Sequence, residues 1–228
     1  MPKSTRAIKI TDKNKAWNKK SKSTDYKINT IPQNKSILIT CEGQTEKLYF
    51  ESFPVLAMNI RAIDLKGESK LKLVESTTQI IDSSEVKYDE VWCVFDMDVK
   101  RGEKEFSDFD NSIEKAIGLG YKVAYSNDSF ELWFYLHYHY TDAKSLRTFY
   151  YQELGKKFNL NYVDEGKKYG FCMKIYSFLK NDPNSSQEKA IEYAKNLYEQ
   201  NKSLAYHKQN PITKVYELVE ELNKNLRK

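Results

Sequence analysis

Little in this chain favours a disulfide-rich, fibrous or membrane-embedded protein. Its 228 residues include only 3 Cys, 8 Gly and 5 Pro, which excludes a collagen-like composition or a long Gly/Pro-rich chain. No apolar run approaches the roughly 20 residues that are needed to cross a bilayer. The basic N-terminal segment also lacks the apolar core of a secretion signal. We therefore predict a soluble, cytoplasmic protein that makes no use of a membrane.

The cysteines are too few and too widely spaced for a disulfide framework or a zinc site. Cys41, Cys93 and Cys172 form no CxxC or CxxH arrangement, and two of them lie inside apolar, strand-like runs. An odd number of separated cysteines is typical of a protein in a reducing compartment. We predict that all three are buried free thiols.

The net charge of +5 is distributed unevenly. Residues 1–35 contain ten of the 37 Lys and Arg but only two of the 32 Asp and Glu, so the remainder is slightly acidic. This segment is polar and shows no helix or strand periodicity, which is typical of disorder. We predict a flexible basic arm over 1–35, which either captures a polyanion through its phosphates or serves only as a solubilising tail.

Residues 36–140 alternate between short apolar runs and amphipathic segments. ILITC, VWCVF and YKVAYS are β-branched or aromatic runs typical of buried strands, and helices are expected over 69–82 and around 106–117. This alternation predicts an α/β domain with a mostly parallel sheet that helices cover on both faces.

Residues 141–228 show only helical patterns, which predicts a helical extension packed on the α/β domain. One helix is expected over 186–200, where Ser185 and Glu188 fit a capping box. A last helix is expected to begin at Asn210 and Pro211, which are favoured residues for the N-cap and the first helical position.

Acidic side chains follow three of the predicted strands. Glu42 comes directly after the first strand, Asp96 and Asp98 end the VWCVF strand, and Glu131 follows the YKVAYS strand. Ligands bind at the carboxyl ends of parallel strands, and residues two apart on an extended chain point to the same side. Crowded carboxylates repel one another unless a cation neutralises them. A Mg²⁺ site, which prefers oxygen ligands, is therefore predicted here.

Each acidic motif has a simpler explanation when it is taken alone. A DxD after a strand is more often a turn or capping feature, and it also occurs in nucleotide-sugar transferases. Glu46, one turn after Glu42, is equally explained as a first-turn glutamate favoured by the helix dipole. The chain order of the motifs, at successive strand ends, is what makes the set specific.

The motifs together resemble a known family. ILITCEGQTEKLYFESF and VWCVFDMD resemble a Toprim domain. The longer set EGQTEKLYF, FDMD, AYSNDSFELWFYLH and NPITKVYELVEEL resembles the RloB family, Toprim-like proteins of bacterial anti-phage and abortive-infection systems. The match runs from about Ser36 to Leu222, and its most discriminating part is the string SN-x-x-FE-x-W-x-x-x-H.

The resemblance implies a Toprim-like fold and a nuclease that uses Mg²⁺ or Mn²⁺ to cleave RNA, such as tRNA. It also implies a partner in the defence system, such as an ATPase. Glu42 would be a general acid/base or the first metal ligand, Asp96 and Asp98 would bind the ion, and Glu46 would hold a second ion. From the discriminating string, Glu131 and His137 become catalytic candidates, with His137 as a proton shuttle.

Three further residues are candidates for contact with the substrate. Lys100 and Arg101 directly follow the DxD, and Arg101 is the stronger candidate for a phosphate ligand. Asn127 precedes the FELW helix, where it serves as a helix N-cap or contacts the substrate.

Three functions follow from these expectations. The first is the metal-dependent nuclease that the resemblance implies. The second is a Toprim-derived subunit that binds nucleic acid or a partner protein without cutting it. The third is a DxD-dependent nucleotidyl- or glycosyltransferase.

Overall fold

The computed structural model describes residues 35–55, 58–62, 69–98 and 103–226. The predicted basic arm, apart from Lys35, and the candidate phosphate ligands Lys100 and Arg101 lie outside these residues. The proposed boundary between an α/β domain and a helical extension, at 140/141, stays a prediction.

A five-stranded sheet forms the centre of the fold, with strand order β2-β1-β3-β4-β5. The strands are β1 (Ile37–Cys41), β2 (Met58–Ala62), β3 (Glu90–Asp96), β4 (Lys122–Asn127) and β5 (Ile212–Thr213). The first four are mutually parallel, and only β5 runs antiparallel, against β4. The prediction of a mostly parallel, Toprim-like α/β fold is confirmed.

Helices connect the parallel strands and make up most of the chain after β4. They are α1 (Gln44–Glu51), α2 (Lys70–Asp82), α3 (Glu103–Gly118), α4 (Glu131–Leu136), α5 (Arg147–Phe158), α6 (Tyr162–Glu165), α7 (Tyr169–Cys172), α8 (Ile175–Asn181), α9 (Gln187–Asn201) and α10 (Val215–Lys224). A 3-10 helix at Tyr206–Lys208 precedes β5.

Both faces of the sheet are buried, because alternate residues of each strand enter different hydrophobic clusters. In β3, Trp92 and Val94 join the cluster formed with α1, α4 and the C-terminal helices. Cys93 and Phe95 point the other way, into a cluster with α2 and α3. The middle of β3, from Trp92 to Phe95, is therefore apolar at every position.

Aromatic side chains join α1 to α4 beneath the sheet. Phe130, Trp133 and Phe134 are at most 1% exposed. The Trp133 indole Nε1 donates a hydrogen bond to the Tyr49 hydroxyl at 2.8 Å, so the polar atom of the buried ring is satisfied. These contacts fix α4, and with it Glu131 at its start, against the first helix.

Two predictions for the C-terminal region are wrong. The last helix begins at Val215, because Ile212 and Thr213 pair with the end of β4 and form a strand instead. Helix α9 is capped by Ser186, whose hydroxyl accepts a hydrogen bond from the Lys189 N–H, and not by Ser185. A sequence pattern locates such a cap only to within a residue or two.

The prediction for the cysteines is confirmed, since Cys41, Cys93 and Cys172 are all buried and unpaired. Within the part of the chain that the structure describes, no helix is both long enough and apolar enough to span a membrane.

Candidate functional site

The strand order creates a crevice at the carboxyl ends of β1 and β3. From β1 the chain moves to β2 on one side and later to β3 on the other side, so these neighbours form a topological switch point, where ligands of α/β proteins bind. Glu42 follows β1, and its N–H donates a hydrogen bond to the Val94 carbonyl at 3.0 Å. Asp96 ends β3. The fold therefore brings the first two candidate acids to one edge of the sheet.

A pocket of about 300 Å³ lies at this edge and is strongly charged. Five carboxylates and two cations line it together with three residues of the β1–α1 turn. The lining residues are Glu42, Gly43, Gln44, Thr45, Glu46, Asp96, Asp98, Glu131, Arg147 and Lys167. The four acids that the strand-end argument selected are present, and so is Glu46.

The turn after β1 is shaped so that Glu46 folds back into the pocket. Glu46 lies in the first turn of α1 and is 7% exposed. A Cβ atom on Gly43 would approach Glu46 Oε2 closely, so this glycine leaves room for the Glu46 carboxylate in its present conformation. The motif thus has a packing reason as well as a chemical one.

Asp98 faces the pocket for a different reason from the one that alternation suggests. Strand β3 ends at Asp96, and Asp98 has the left-handed φ of 49°, which is uncommon outside Gly, Asn and Asp. Its N–H donates to the Asp128 carbonyl at 3.4 Å, and its Oδ1 lies 3.3 Å from Arg147 Nη2. A local turn and an ion pair, not strand periodicity, orient this carboxylate.

Glu131 enters the pocket from the first turn of α4, where it is 3% exposed. Lys167 Nζ lies 4.0 Å from its Oε1. Glu131 is therefore a buried acid with a cation beside it, as Asp98 has Arg147.

Four carboxylate oxygens in this pocket are buried without a hydrogen-bond partner. They are Glu42 Oε2, Glu46 Oε2, Asp96 Oδ1 and Asp98 Oδ1; of these, Asp98 Oδ1 forms an ion pair with Arg147. Buried polar atoms are normally satisfied, and oxygen-only donors on one rim fit a hard divalent cation such as Mg²⁺.

The acids around the pocket are not arranged as a ready-made metal site. Among the described residues, no three His, Cys, Asp or Glu side chains already form a set that could hold one ion. Mg²⁺ usually keeps several of its waters and binds through one or two carboxylates, so a closed protein cage is not required for it.

Burial and mutual repulsion raise the pKa values of the central acids. The pKa of Glu46 rises to about 7, mainly because the side chain is buried and also because Glu131 and Glu42 lie near it. The pKa of Asp96 lies well above its usual range for the same two reasons. Burial also raises the pKa of Glu42, and Lys70 partly opposes this. The pocket therefore contains more carboxyl groups than can easily be ionised together without a cation.

This repulsion predicts that the metal-free protein loses stability as the pH rises. A pKa raised from 4.5 to about 7 means that the folded state binds the Glu46 proton more tightly than the unfolded state does. The stabilisation is complete below about pH 4.5 and is lost as the pH rises to 7, on the order of 3 kcal/mol. Thermal unfolding in EDTA between pH 5 and 8 should therefore show a steeper decline for wild type than for Glu46→Gln. Parallel curves would contradict the raised pKa.

Two cations of the pocket were not found by sequence reasoning. Arg147 begins α5, and its main-chain N–H donates to Asp128 Oδ2 at 2.8 Å while its guanidinium contacts the same carboxylate and Asp98. Lys167 lies in the segment between α6 and α7. No motif marks Arg147, whereas Lys167 belongs to a Lys-Lys-Tyr cluster whose composition alone carries little weight.

Two candidates from the discriminating string lie away from the pocket lining. His137 follows α4 and lines a separate cavity with Tyr49 and Tyr176, and burial lowers its pKa to about 4. Asn127 ends β4, where its Nδ2 donates to the His207 carbonyl at 3.1 Å. It does not cap α4, whose N-cap residue is Phe130.

The family comparison agrees with the resemblance seen in the sequence. The model of the family described as "RloB-like protein" matches residues 37–222, which is most of the chain. The chain has no significant match among curated proteins or solved structures.

Proposed function

Because this chain belongs to the RloB-like family, we propose that it is a metal-dependent, Toprim-type endonuclease that cleaves RNA, such as tRNA, in bacterial anti-phage defence. The observation that carries the proposal is the set of three buried carboxylate oxygens, Glu42 Oε2, Glu46 Oε2 and Asp96 Oδ1, that have no hydrogen-bond partner in one pocket at the switch point of the sheet. A cytoplasmic location and a partner such as an ATPase belong to the same proposal.

The chain's own residues fit a divalent cation. Glu42, Asp96 and Asp98 would hold Mg²⁺ or Mn²⁺, and Glu46 lines the same pocket. When bound, such an ion supplies charge neutralisation for a scissile phosphate and its leaving oxygen.

Glu46 has the properties of a proton acceptor. Its Oε2 is buried and unpartnered, and its pKa of about 7 is near the pH at which a general base works best. We assign it the proton of the attacking group, a water or the ribose 2′-hydroxyl. His137 has no such role in this scheme, because it lines a different cavity and is neutral at pH 7.

The two cations have different tasks. Lys167 is about half exposed and faces the pocket, so it is placed to contact a non-bridging phosphate oxygen. Arg147 is held by Asp128 and contacts Asp98, so it positions an ion ligand. The substrate roles expected for Lys100 and Arg101 concern residues outside the described chain.

The proposal is tested by incubating total tRNA with the purified protein and Mg²⁺ or Mn²⁺. We expect fragments with wild type, none in EDTA, and none with Glu42→Gln. Glu188→Gln is the matched control, because Glu188 is an exposed first-turn glutamate of α9 outside the pocket. Intact RNA under all conditions, with wild type included, would remove the nuclease assignment.

A non-catalytic binding subunit is the second candidate, and one observation favours it. The described acids do not form a ready metal-ligand set. This candidate predicts that wild type and Glu42→Gln retain tRNA equally in a gel-shift assay and leave it equally intact.

A further inference from the structure

A second, larger cavity lies beside the acidic pocket, between α5 and α6. It has a volume of about 610 Å³, and we call it the α5–α6 groove. Its described lining residues are Thr148, Tyr151, Gln152, Gly155, Lys156, Asn159, Leu160, Asn161, Tyr162 and Val163. We propose that this groove binds the base and ribose of the nucleotide next to the phosphate at the acidic pocket, and this inference rests on the proposed function.

Lys167 connects the two cavities. Its Nζ lies 5.2 Å from the ring centre of Tyr151, which lines the groove, and 4.0 Å from Glu131 in the acidic pocket. A phosphate bound by Lys167 would therefore have its own sugar and base at the entrance of the groove.

Helix α5 runs from one cavity to the other. Arg147 lines the acidic pocket, and Tyr151 and Gly155 line the groove. These positions are four residues apart, so they lie on one face of the helix. The face extends over about 12 Å from Arg147 to Gly155 at 1.5 Å per residue, which is enough for one nucleotide.

The groove differs chemically from the pocket beside it. None of its described lining residues is acidic. Lys156 adds a positive charge, and its Nζ donates a hydrogen bond to Glu153 Oε1 at 2.6 Å. The polar side chains of Thr148, Gln152 and Asn159 are exposed. An uncharged ligand with several hydrogen-bonding edges suits such a surface, and it must be attached to a phosphate to bridge both cavities.

The groove also contains a fixed aromatic surface. The rings of Tyr151 and Tyr162 stack with their centres 5.4 Å apart and an interplanar angle of 29°. Tyr162 is buried and supports Tyr151, which is partly exposed and offers its ring to a base. A base that stacks on such a ring gains affinity whatever its identity. Only an unpaired base can reach it, because bases in a duplex are stacked on each other.

The turn between α5 and α6 gives the groove its shape. A Cβ atom on Gly155 would lie 2.9 Å from the Leu160 carbonyl oxygen, so helix and turn approach closely at this glycine. Asn159 ends α5 in the left-handed conformation, with φ of 52°. The backbone therefore sets the shape of the cavity, which does not depend on the movement of a side chain.

The test uses the full chain and a 2′-O-methyl RNA hexanucleotide that carries one 4-thiouridine and a fluorophore, in Mg²⁺. Gln152→Trp places a large side chain at an exposed position in the groove. Gln200→Trp is the control, because Gln200 is an exposed residue of α9 outside both cavities. We expect Gln152→Trp to weaken binding about tenfold or more, and the control to change it less than twofold.

Photocrosslinking of the same oligonucleotide locates the base. We expect crosslinks in the peptide that contains residues 148–163, and their loss in Gln152→Trp. Crosslinks elsewhere, or equal affinity of Gln152→Trp and wild type, would overturn the groove assignment.

Cleavage assays on tRNA separate this inference from the proposed function. If wild type gives crosslinks in the groove but no cleavage, the groove assignment stands and the nuclease assignment is wrong. Cleavage by wild type and by Gln152→Trp at the same rate would retain the nuclease and remove the groove. Absence of both binding and cleavage would remove both.

Discussion

Replacing Asp96 by Asn is expected to abolish RNA cleavage and, at the same time, to stabilise the metal-free protein at pH 8. Asp96 Oδ1 is buried without a partner at the end of β3, and its pKa is raised by burial and by Glu46 and Glu131. Asn has nearly the same shape but no charge to hold a cation. Because a bound metal supplies several kcal/mol to catalysis, we expect a loss of at least about 100-fold in rate.

The stability gain distinguishes this substitution from simple damage to the fold. Thermal unfolding in EDTA at pH 8 should give a higher midpoint for Asp96→Asn than for wild type, and excess Mg²⁺ should raise the midpoint of wild type more. The exposed residue Asp142, which is outside the pocket, provides the control Asp142→Asn. A lower midpoint for Asp96→Asn would show that the crowded carboxylates do not repel one another. Full cleavage activity would exclude Asp96 from the site.

Of the substitutions proposed for this chain, the removal of the Lys70 side-chain charge is expected to cause the largest loss of folding stability. Lys70 starts α2, is 3% exposed, and forms a short ion pair with Glu105 of α3. Its N–H also donates to Asp108 Oδ2 at 2.6 Å. Lys70→Met leaves Glu105 buried without its partner, which typically costs about 3 to 5 kcal/mol, or on the order of 10 °C in midpoint.

A double variant tests whether this cost comes from the unpaired charge. Lys70→Met combined with Glu105→Leu should recover most of the stability, because apolar side chains often replace a buried ion pair without loss. Chemical denaturation of the two single variants and the double variant measures the coupling. Equal destabilisation of Lys70→Met and the double variant would attribute the cost to packing.

The same pair affects the acidic pocket. The Lys70 charge partly opposes the rise in the pKa of Glu42, and the Glu105 charge adds to that rise. Lys70→Met alone should therefore raise the pKa of Glu42 further, whereas the double variant, which also loses the Glu105 charge, should leave the pKa of Glu42 nearer its wild-type value.

The sheet was predictable because its signal is local. Ile37 to Cys41 and Trp92 to Phe95 are continuous apolar runs, and both are strands. Strand β5 was missed because Ile212 and Thr213 are only two residues long, too few for a periodic pattern. They become a strand only because β4 offers them a partner.

The acids of the site were predictable for a similar reason. Glu42 and Asp96 follow parallel strands, and such strand ends meet at one edge of the sheet. Asp98 lines the same pocket, but its orientation depends on a left-handed turn and on Arg147. His137 was selected from the resemblance, yet the end of α4 directs it into another cavity.

The sequence by itself determined the α/β class, the family and the five acids at the edge of the sheet, because these depend on short periodic runs and on the order of motifs. The tertiary structure decided which residues join them. Arg147 and Lys167 lie far along the chain. They reach the pocket only because the later helices pack against the face of the sheet that carries Trp92 and Val94. Long-range packing depends on the fit of many side chains at once, which no local pattern records.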